Sequence, residues 1–262
     1  MSATTSAAGT AGRSGINVMD VRITLATTRR ILAQLRHDHR TVGLLIGVPS
    51  LLMILLRYVI DNPIAFDRFG PMLLGVFPFI VMFIVTSVGT LRERTGGTLE
   101  RLMTTPLGKL DLLLGYALAF GLLALVQVAV VATISMTWLG LDLAGPVWVL
   151  LLVAVLDALL GMALGLFASA FARTEFQAVQ FMPAFVLPQA LLCGIVVAHD
   201  QMATWLQWIA NVLPLSYAVE AMQQLTGNSD ITDTLVRDTI VIAGCTVLAL
   251  ALGAATLRRR TP

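Results

Sequence analysis

Few side chains in this sequence are of types that do chemistry, and one of them stands out by its position. Asp157 lies in the middle of the apolar run 146–171. An ionised aspartate at the centre of a membrane helix costs on the order of 2.5–3.5 kcal/mol on insertion scales, so it must face protein or a wet cavity. Two roles are open to it: contact with a transported molecule, or a structural hydrogen bond to a neighbouring helix, with Gln127 as a partner. Gln127, Asp157 and Gln189 are the residues expected along a transport path, although polar contacts between helices would explain the glutamines equally well. His37-Asp38-His39 has the residue types of a metal site but reads as the solvated end of a charged helix. His199 stands alone near one surface. Cys193 and Cys245 sit in apolar runs without metal-ligand spacing and with nothing that forces a pair. There is no HExxH pattern, no GxSxG elbow and no supported Ser-His-Asp set. The only lysine falls in Gly108-Lys109-Leu110. A phosphate-binding P-loop needs a glycine-rich turn before Lys and a Ser or Thr after it. Neither is present, so the chain is not expected to be catalytic by itself, nor to carry a metal or cofactor.

Composition explains why so little polar chemistry is available. The 262 residues are 57% hydrophobic and 12% charged, with a mean hydropathy of +0.86. Soluble domains carry about 25% charged residues, so this chain has too little charge to coat a surface in water. The same numbers exclude a disordered chain and a disulfide-stapled secreted domain, leaving a polytopic membrane protein. Sixteen of the 17 basic residues are arginine, a bias that points to a GC-rich, bacterial coding genome. Scattered at span ends, they imply no nucleic-acid partner.

A membrane span needs about 20 apolar residues in a helix, and six segments qualify: 41–60, 71–91, 110–138, 146–171, 178–198 and 238–257. Pro71 and Pro146 sit at span starts, where a missing N–H costs nothing. Pro49, Pro78, Pro183 and Pro188 fall inside spans and predict kinks. With six spans, fourteen basic residues share one side with both termini, against Arg57, Arg68 and Arg237 on the other. The positive-inside rule then places both termini in the cytoplasm. The expected fold is an all-α integral membrane protein of the cell membrane. Its domains are a disordered tail at 1–17, an interfacial amphipathic helix at 18–40, a six-helix transmembrane domain at 41–257 and a basic cytoplasmic tail at 258–262. In the second of these, Val18, Val21, Leu25, Leu32 and Leu35 repeat at three-to-four spacing, with Arg22, Arg29 and Arg36 on another face. The segment 199–237 is too apolar for an outer loop in water and is broken by Pro214. It is expected to be a helical hairpin in the outer leaflet, with Trp205 and Trp208 at headgroup depth.

Residues 92–106 connect the second and third spans. Gly96-Gly97 can stop the arriving helix, Thr98 can cap a short new one, and Pro106 can open the next span. Leu99 and Leu102 share a face, while Glu93, Arg94, Glu100 and Arg101 present both charge signs. A short helix held across two spans could transmit force from a cytoplasmic partner; a solvated loop would show the same spacing.

The stretch Glu93-Arg94-Thr95-Gly96-Gly97-Thr98-Leu99-Glu100-Arg101-Leu102, followed by Thr105-Pro106-Leu107, resembles the coupling segment of type-2 ABC exporter permeases. Weaker matches follow in the right order: Gly161 to Arg173, Cys193-Gly194, and Asn211-Val212-Leu213-Pro214-Leu215-Ser216-Tyr217. The resemblance runs from about residue 20 to 257 and is nearest the daunorubicin-resistance type of drug or lipid exporter. It implies a coupling helix between spans two and three, and a partner: a separate cytoplasmic ABC ATPase that holds the ATP and Mg. It also implies a second permease, either another copy or a paralogue, and hydrophobic or amphipathic substrates such as drugs, lipids or glycolipids. The chain departs from the family pattern after Cys193-Gly194, where Val196-Val197-Ala198-His199-Asp200 replaces the usual aromatic residue and proline. An ATP-independent channel or secondary transporter is the alternative. It would normally show a row of intramembrane charges, and Asp157 stands nearly alone.

Overall fold

The computed structural model describes residues 21–96 and 109–256, and these are helical with no strand among them. The helices are α1 (Val21–His37), α2 (His39–Val59), α3 (Pro63–Thr95), α4 (Lys109–Thr137), α5 (Val147–Ser169), α6 (Glu175–Leu192), α7 (Thr204–Ala210), α8 (Pro214–Gly227) and α9 (Asp233–Thr256), with one 3-10 turn at His199–Gln201. The expected tails at 1–17 and 258–262, and most of the expected coupling helix, lie outside the described residues.

Local chemistry accounts for the helix boundaries. The Asp38 carboxylate accepts from the Thr41 backbone N–H at 3.1 Å and caps α2, so the helix expected over 18–40 ends at His37. The Asn62 side chain accepts from the Ala65 N–H at 3.3 Å, with Pro63 in the first turn. α3 therefore begins eight residues before the expected start at Pro71, which is an interior residue. Its 33 residues rise about 50 Å, well beyond a hydrocarbon core of about 30 Å. Thr174 caps α6 by accepting from the Gln177 N–H at 3.2 Å.

Among the described residues, five helices are long and apolar enough to cross a membrane: α2, α3, α4 from Asp111, α5 and α9. The expected fifth span, 178–198, is instead the 18-residue α6, which is not among them. Glu175, Gln177, Gln180 and Gln189 dilute its apolar character, and the chain turns at Gly194, whose φ of +95° favours glycine. The expected hairpin at 199–237 resolves into the 3-10 turn, α7 and α8, and α9 begins at Asp233, five residues earlier than expected. Pro214 opens α8 rather than merely interrupting a helix. Trp205 and Trp208 are exposed, whereas Leu215, Val219, Met222 and Leu225 of α8 are buried in the core.

α3 and α5 form the centre, with more than half of each span buried, and α2 and α9 face outward. The two central helices run parallel in a fixed register. A Cβ added at Gly161 would lie 2.3 Å from the Phe79 carbonyl oxygen, and one at Gly165 would lie 2.4 Å from that of Phe83. Only a residue without a side chain allows this backbone approach, the small-residue packing that joins helices in lipid. Around this seam Phe66, Phe79, Phe83, Met53 and Met222 are fully buried.

α1 packs across the start of α4 through small polar residues at its beginning and apolar ones toward its end. Thr24, Thr27 and Ile31 are buried, whereas Val21 and Leu25 are exposed. Thr27 lies so close to Gly115 that a Cβ there would approach its Cγ2 to 2.7 Å, and Thr28 Oγ1 donates to the Gly115 carbonyl at 3.3 Å. Small polar side chains let the two backbones approach here, while Leu32 and Leu35 further along α1 are partly buried against Ile31 and its neighbours.

Candidate functional site

The last turn of α3 carries Arg92, Glu93 and Arg94, and the structure ties it to four other helices. Arg92 makes a two-pronged ion pair with Glu175 of α6, Nε to Oε1 at 2.7 Å and Nη2 to Oε2 at 2.9 Å. The Glu93 side chain, 11% exposed, pairs with Arg30 of α1 at 3.5 Å and accepts a hydrogen bond from the Tyr116 hydroxyl of α4. Arg94 Nη1 donates to the Ser169 carbonyl at the end of α5. α1 and α4 are further joined by Thr24 Oγ1, which donates to Asp111 at 3.3 Å. Gly96 follows as the C-cap of α3, and its N–H bonds to the Arg92 carbonyl at 2.8 Å. Of the residues expected in the coupling segment, Glu93, Arg94 and Gly96 belong to this knot. Gly97, Thr98, Leu99, Glu100, Arg101 and Leu102 lie outside the described residues.

Sequence spacing gave no sign of the partners. Arg30, Tyr116, Ser169 and Glu175 lie between 23 and 83 residues from their mates, and only helix packing brings them to one end of the bundle. Arg22, Arg29, Arg36, Arg40 and Arg173 belong to the same end, where α1, α3 and α5 finish and α2 and α6 start; Arg57, Arg68 and Arg237 belong to the opposite end.

The three expected pathway residues do not converge. Gln127 is fully buried between α4 and α2, and its amide donates to the Leu45 carbonyl at 2.9 Å. It is therefore not the partner of Asp157. Asp157 is also fully buried, and neither of its carboxyl oxygens has a hydrogen-bond partner. It faces α3 and α8: a Cβ added at Gly75 would lie 3.6 Å from Asp157 Oδ2 and 3.2 Å from the Met222 methyl. Gln189 of α6 donates to the Phe185 carbonyl of its own helix at 3.0 Å, and its side-chain oxygen is unpartnered. A buried polar atom left unpaired costs about 1–3 kcal/mol. Asp157 thus keeps an open requirement for a partner that the described residues do not meet.

Toward the Arg57 end, one turn from Gly75 along α3, lies Met72, which lines a cavity of about 1140 Å³ together with Cys193 and the segment 194–201. α8 and α9 close its far wall. There Arg237 pairs with Glu220 at 3.1 Å and with the buried Asp238 at 2.7 Å, and stacks over the Tyr217 ring at 5.9 Å. The Tyr217 hydroxyl donates to the Asn211 carbonyl at 2.7 Å, so the two ends of the sequence Asn211 to Tyr217 are fastened to each other across the start of α8. Among the described residues, no group of three His, Cys, Asp or Glu side chains is placed to hold a metal ion.

The family model for ABC-2 type transporters matches residues 22–226. The chain is 28% identical over 155 residues to the probable multidrug ABC transporter permease YbhR of Escherichia coli, covering 59% of this chain and 42% of that one. It is 28% identical over 160 residues to the linearmycin resistance permease protein LnrN of Bacillus subtilis, 60% of this chain and 41% of that one. ABC transporter G family member 20 of Dictyostelium discoideum is 28% identical over 159 residues, 61% of this chain and 22% of that one. The match spans less than half the length of each of these relatives. Apolar helices around a close-packed central pair, with a family match over most of the length, give one conclusion: the chain belongs to the ABC-2 type transporter family of membrane permeases.

Proposed function

We propose that this chain is the membrane-spanning permease subunit of an ATP-driven exporter that moves hydrophobic or amphipathic molecules out of the cytoplasm or the inner leaflet by alternating access. The ATPase is a separate cytoplasmic chain that carries ATP and Mg, and a second permease, a copy or a paralogue, completes the pathway. α6 serves as the fifth of six spans, which leaves both termini in the cytoplasm with the arginine-rich end of the bundle. α1 lies at that membrane surface with Val21 and Leu25 toward lipid, and the 199–237 segment rests in the outer leaflet.

The observation that carries this reading is the knot at the end of α3. Residues 93–102 resemble the segment on which an ATPase pushes, and α3 enters it already fastened to α1, α4, α5 and α6. A force applied beyond Gly96 is therefore passed to the whole bundle instead of being absorbed by one loop. Because the bundle centre is close-packed on backbone atoms, the helices respond as rigid bodies. Asp157 is fully buried beside Gly75 and Met222, outside the lining of the Met72 cavity, so its unpaired carboxyl meets a transported molecule only when the helices part. The multidrug and linearmycin names of the bacterial relatives support an amphipathic substrate.

The test is co-purification in mild detergent with the ABC ATPase encoded beside this gene, followed by assay of hydrolysis and transport. A stable complex is expected, with Glu100→Ala and Arg101→Ala uncoupling transport from hydrolysis while membrane insertion stays normal. If no ATPase binds, the ATP-independent transporter takes precedence; unchanged transport in both variants would remove the coupling role.

A further inference from the structure

A second cavity, of about 430 Å³, lies at the arginine-rich end, away from Asp157. It is a groove between α2 and α3, roofed by α1 and floored by Phe120. Its walls are apolar, with Leu44 and Val48 on α2 facing Val81 and Val85 on α3. Leu44 is 64% exposed, so the groove opens sideways to whatever surrounds the helices. Its mouth is polar and carries one charge of each sign, Asp38 and Arg92. Glu175 takes Arg92 Nε and Nη2, which leaves Nη1 for another acceptor. The Thr41 hydroxyl and N–H hold the Asp38 carboxyl below the usual carboxylate range, so it is anionic at neutral pH.

The dimensions match one leaflet. From Val81 to Arg92 the α3 backbone rises about 16 Å, and half of a hydrocarbon core of about 30 Å is about 15 Å. The apolar length therefore suits one acyl chain whose headgroup stops at the charged mouth. We propose that this groove seats a zwitterionic phospholipid with a primary ammonium, phosphatidylethanolamine in chemical terms. Its acyl chain lies between Leu44 and Val85, its phosphate meets Arg92 and its ammonium meets Asp38. An anionic lipid such as phosphatidylglycerol would offer Asp38 only neutral hydroxyls and no counter-charge. The lipid packs α1 and α2 onto α3 beside the knot, and the proposal stands whether or not an ATPase drives the chain.

Gly89 lines the groove, and a Cβ there meets nothing within 4 Å. Gly89→Leu therefore sets its Cβ in open space and projects the rest of the side chain into the groove. The full chain, purified in mild detergent, is examined by native mass spectrometry for retained lipid. Thermal unfolding is measured with added phosphatidylethanolamine or phosphatidylglycerol. Wild type is expected to retain phosphatidylethanolamine and to be stabilised by it more than by phosphatidylglycerol. Gly89→Leu is expected to be folded and monodisperse, with retention reduced about tenfold, the loss of one good polar anchor or its equivalent in packing. Asp38→Asn keeps the helix cap and is expected to hold phospholipid without preference between the two headgroups. Equal retention in wild type and Gly89→Leu would overturn the proposal, as would a wild-type preference for phosphatidylglycerol. So would cross-linking of a cysteine at position 89 to residues 1–20 or to a second copy of the chain, since protein would then occupy the groove.

Discussion

Replacing Gly161 by alanine tests the central seam directly. The added Cβ would sit 2.3 Å from the Phe79 carbonyl oxygen, where ordinary contact begins at 3.4 Å. The atom it meets is backbone, in a helix that is packed on several sides, and cannot rotate away as a side-chain tip would. α3 and α5 must separate by about 1 Å along the contact, which opens the tightly packed rows on either side. Overpacking of a core costs about 1–3 kcal/mol, and a backbone obstacle places this variant near about 3 kcal/mol. For a chain of this size each kcal/mol moves Tm by about 2–4 °C, so a fall of about 6–12 °C is expected. The assay is thermal unfolding of the purified protein in detergent, followed by tryptophan fluorescence and by the monodisperse peak on size exclusion. Gly47→Ala is the control: it is also helical, a Cβ there meets nothing within 4 Å, and the helix gains up to about 1 kcal/mol of propensity. Gly165→Ala should behave like Gly161→Ala, and the double variant should lose less than the sum because the first substitution already parts the helices. If Gly161→Ala were as stable as Gly47→Ala, the close seam and the rigid-body transmission built on it would both be wrong.

Two other perturbations separate structural from functional roles. Arg92 and Glu175 are both more than half exposed, so Arg92→Glu alone should cost no more than about 1 kcal/mol of stability. It should nevertheless weaken coupling of hydrolysis to transport, and the swap Arg92→Glu with Glu175→Arg should restore coupling; failure of the swap to restore it would confine the pair to a local role. Asp157→Asn keeps the shape and removes the charge, so Tm should hold or rise while transport rate or substrate preference changes. Loss of folding with no selective transport defect would make Asp157 structural.

Much of the architecture was legible in one dimension. Span-length apolar runs and the segregation of arginines follow from the cost of placing polar groups in hydrocarbon, and that cost acts on each segment separately. The errors lie at boundaries governed by capping. Apolar spacing puts the second span's start at Pro71, but Asn62 and Pro63 start the helix earlier. It carried the fifth span to 198, but the turn at Gly194 stops it. Hydrophobic spacing marks the apolar stripe of α1, but it does not show that Thr24 and Thr27 on another face meet α4 at Asp111 and Gly115.

The candidate site divides along the same line. Composition alone points to a membrane protein, and the local sequence from Glu93 to Leu102 carries the family resemblance, because neither needs to know which helices touch. That Arg92 finds Glu175, that Glu93 lies between Arg30 and Tyr116, and that Gln127 is engaged elsewhere while Asp157 is left without a partner were decided only by the packing of the helices. The spacing of Gly161 and Gly165 marks a small-residue face that packs a neighbour closely, but that the neighbour is α3 at Phe79 and Phe83, and that Gly115 meets Thr27, is decided only by the packing of the helices.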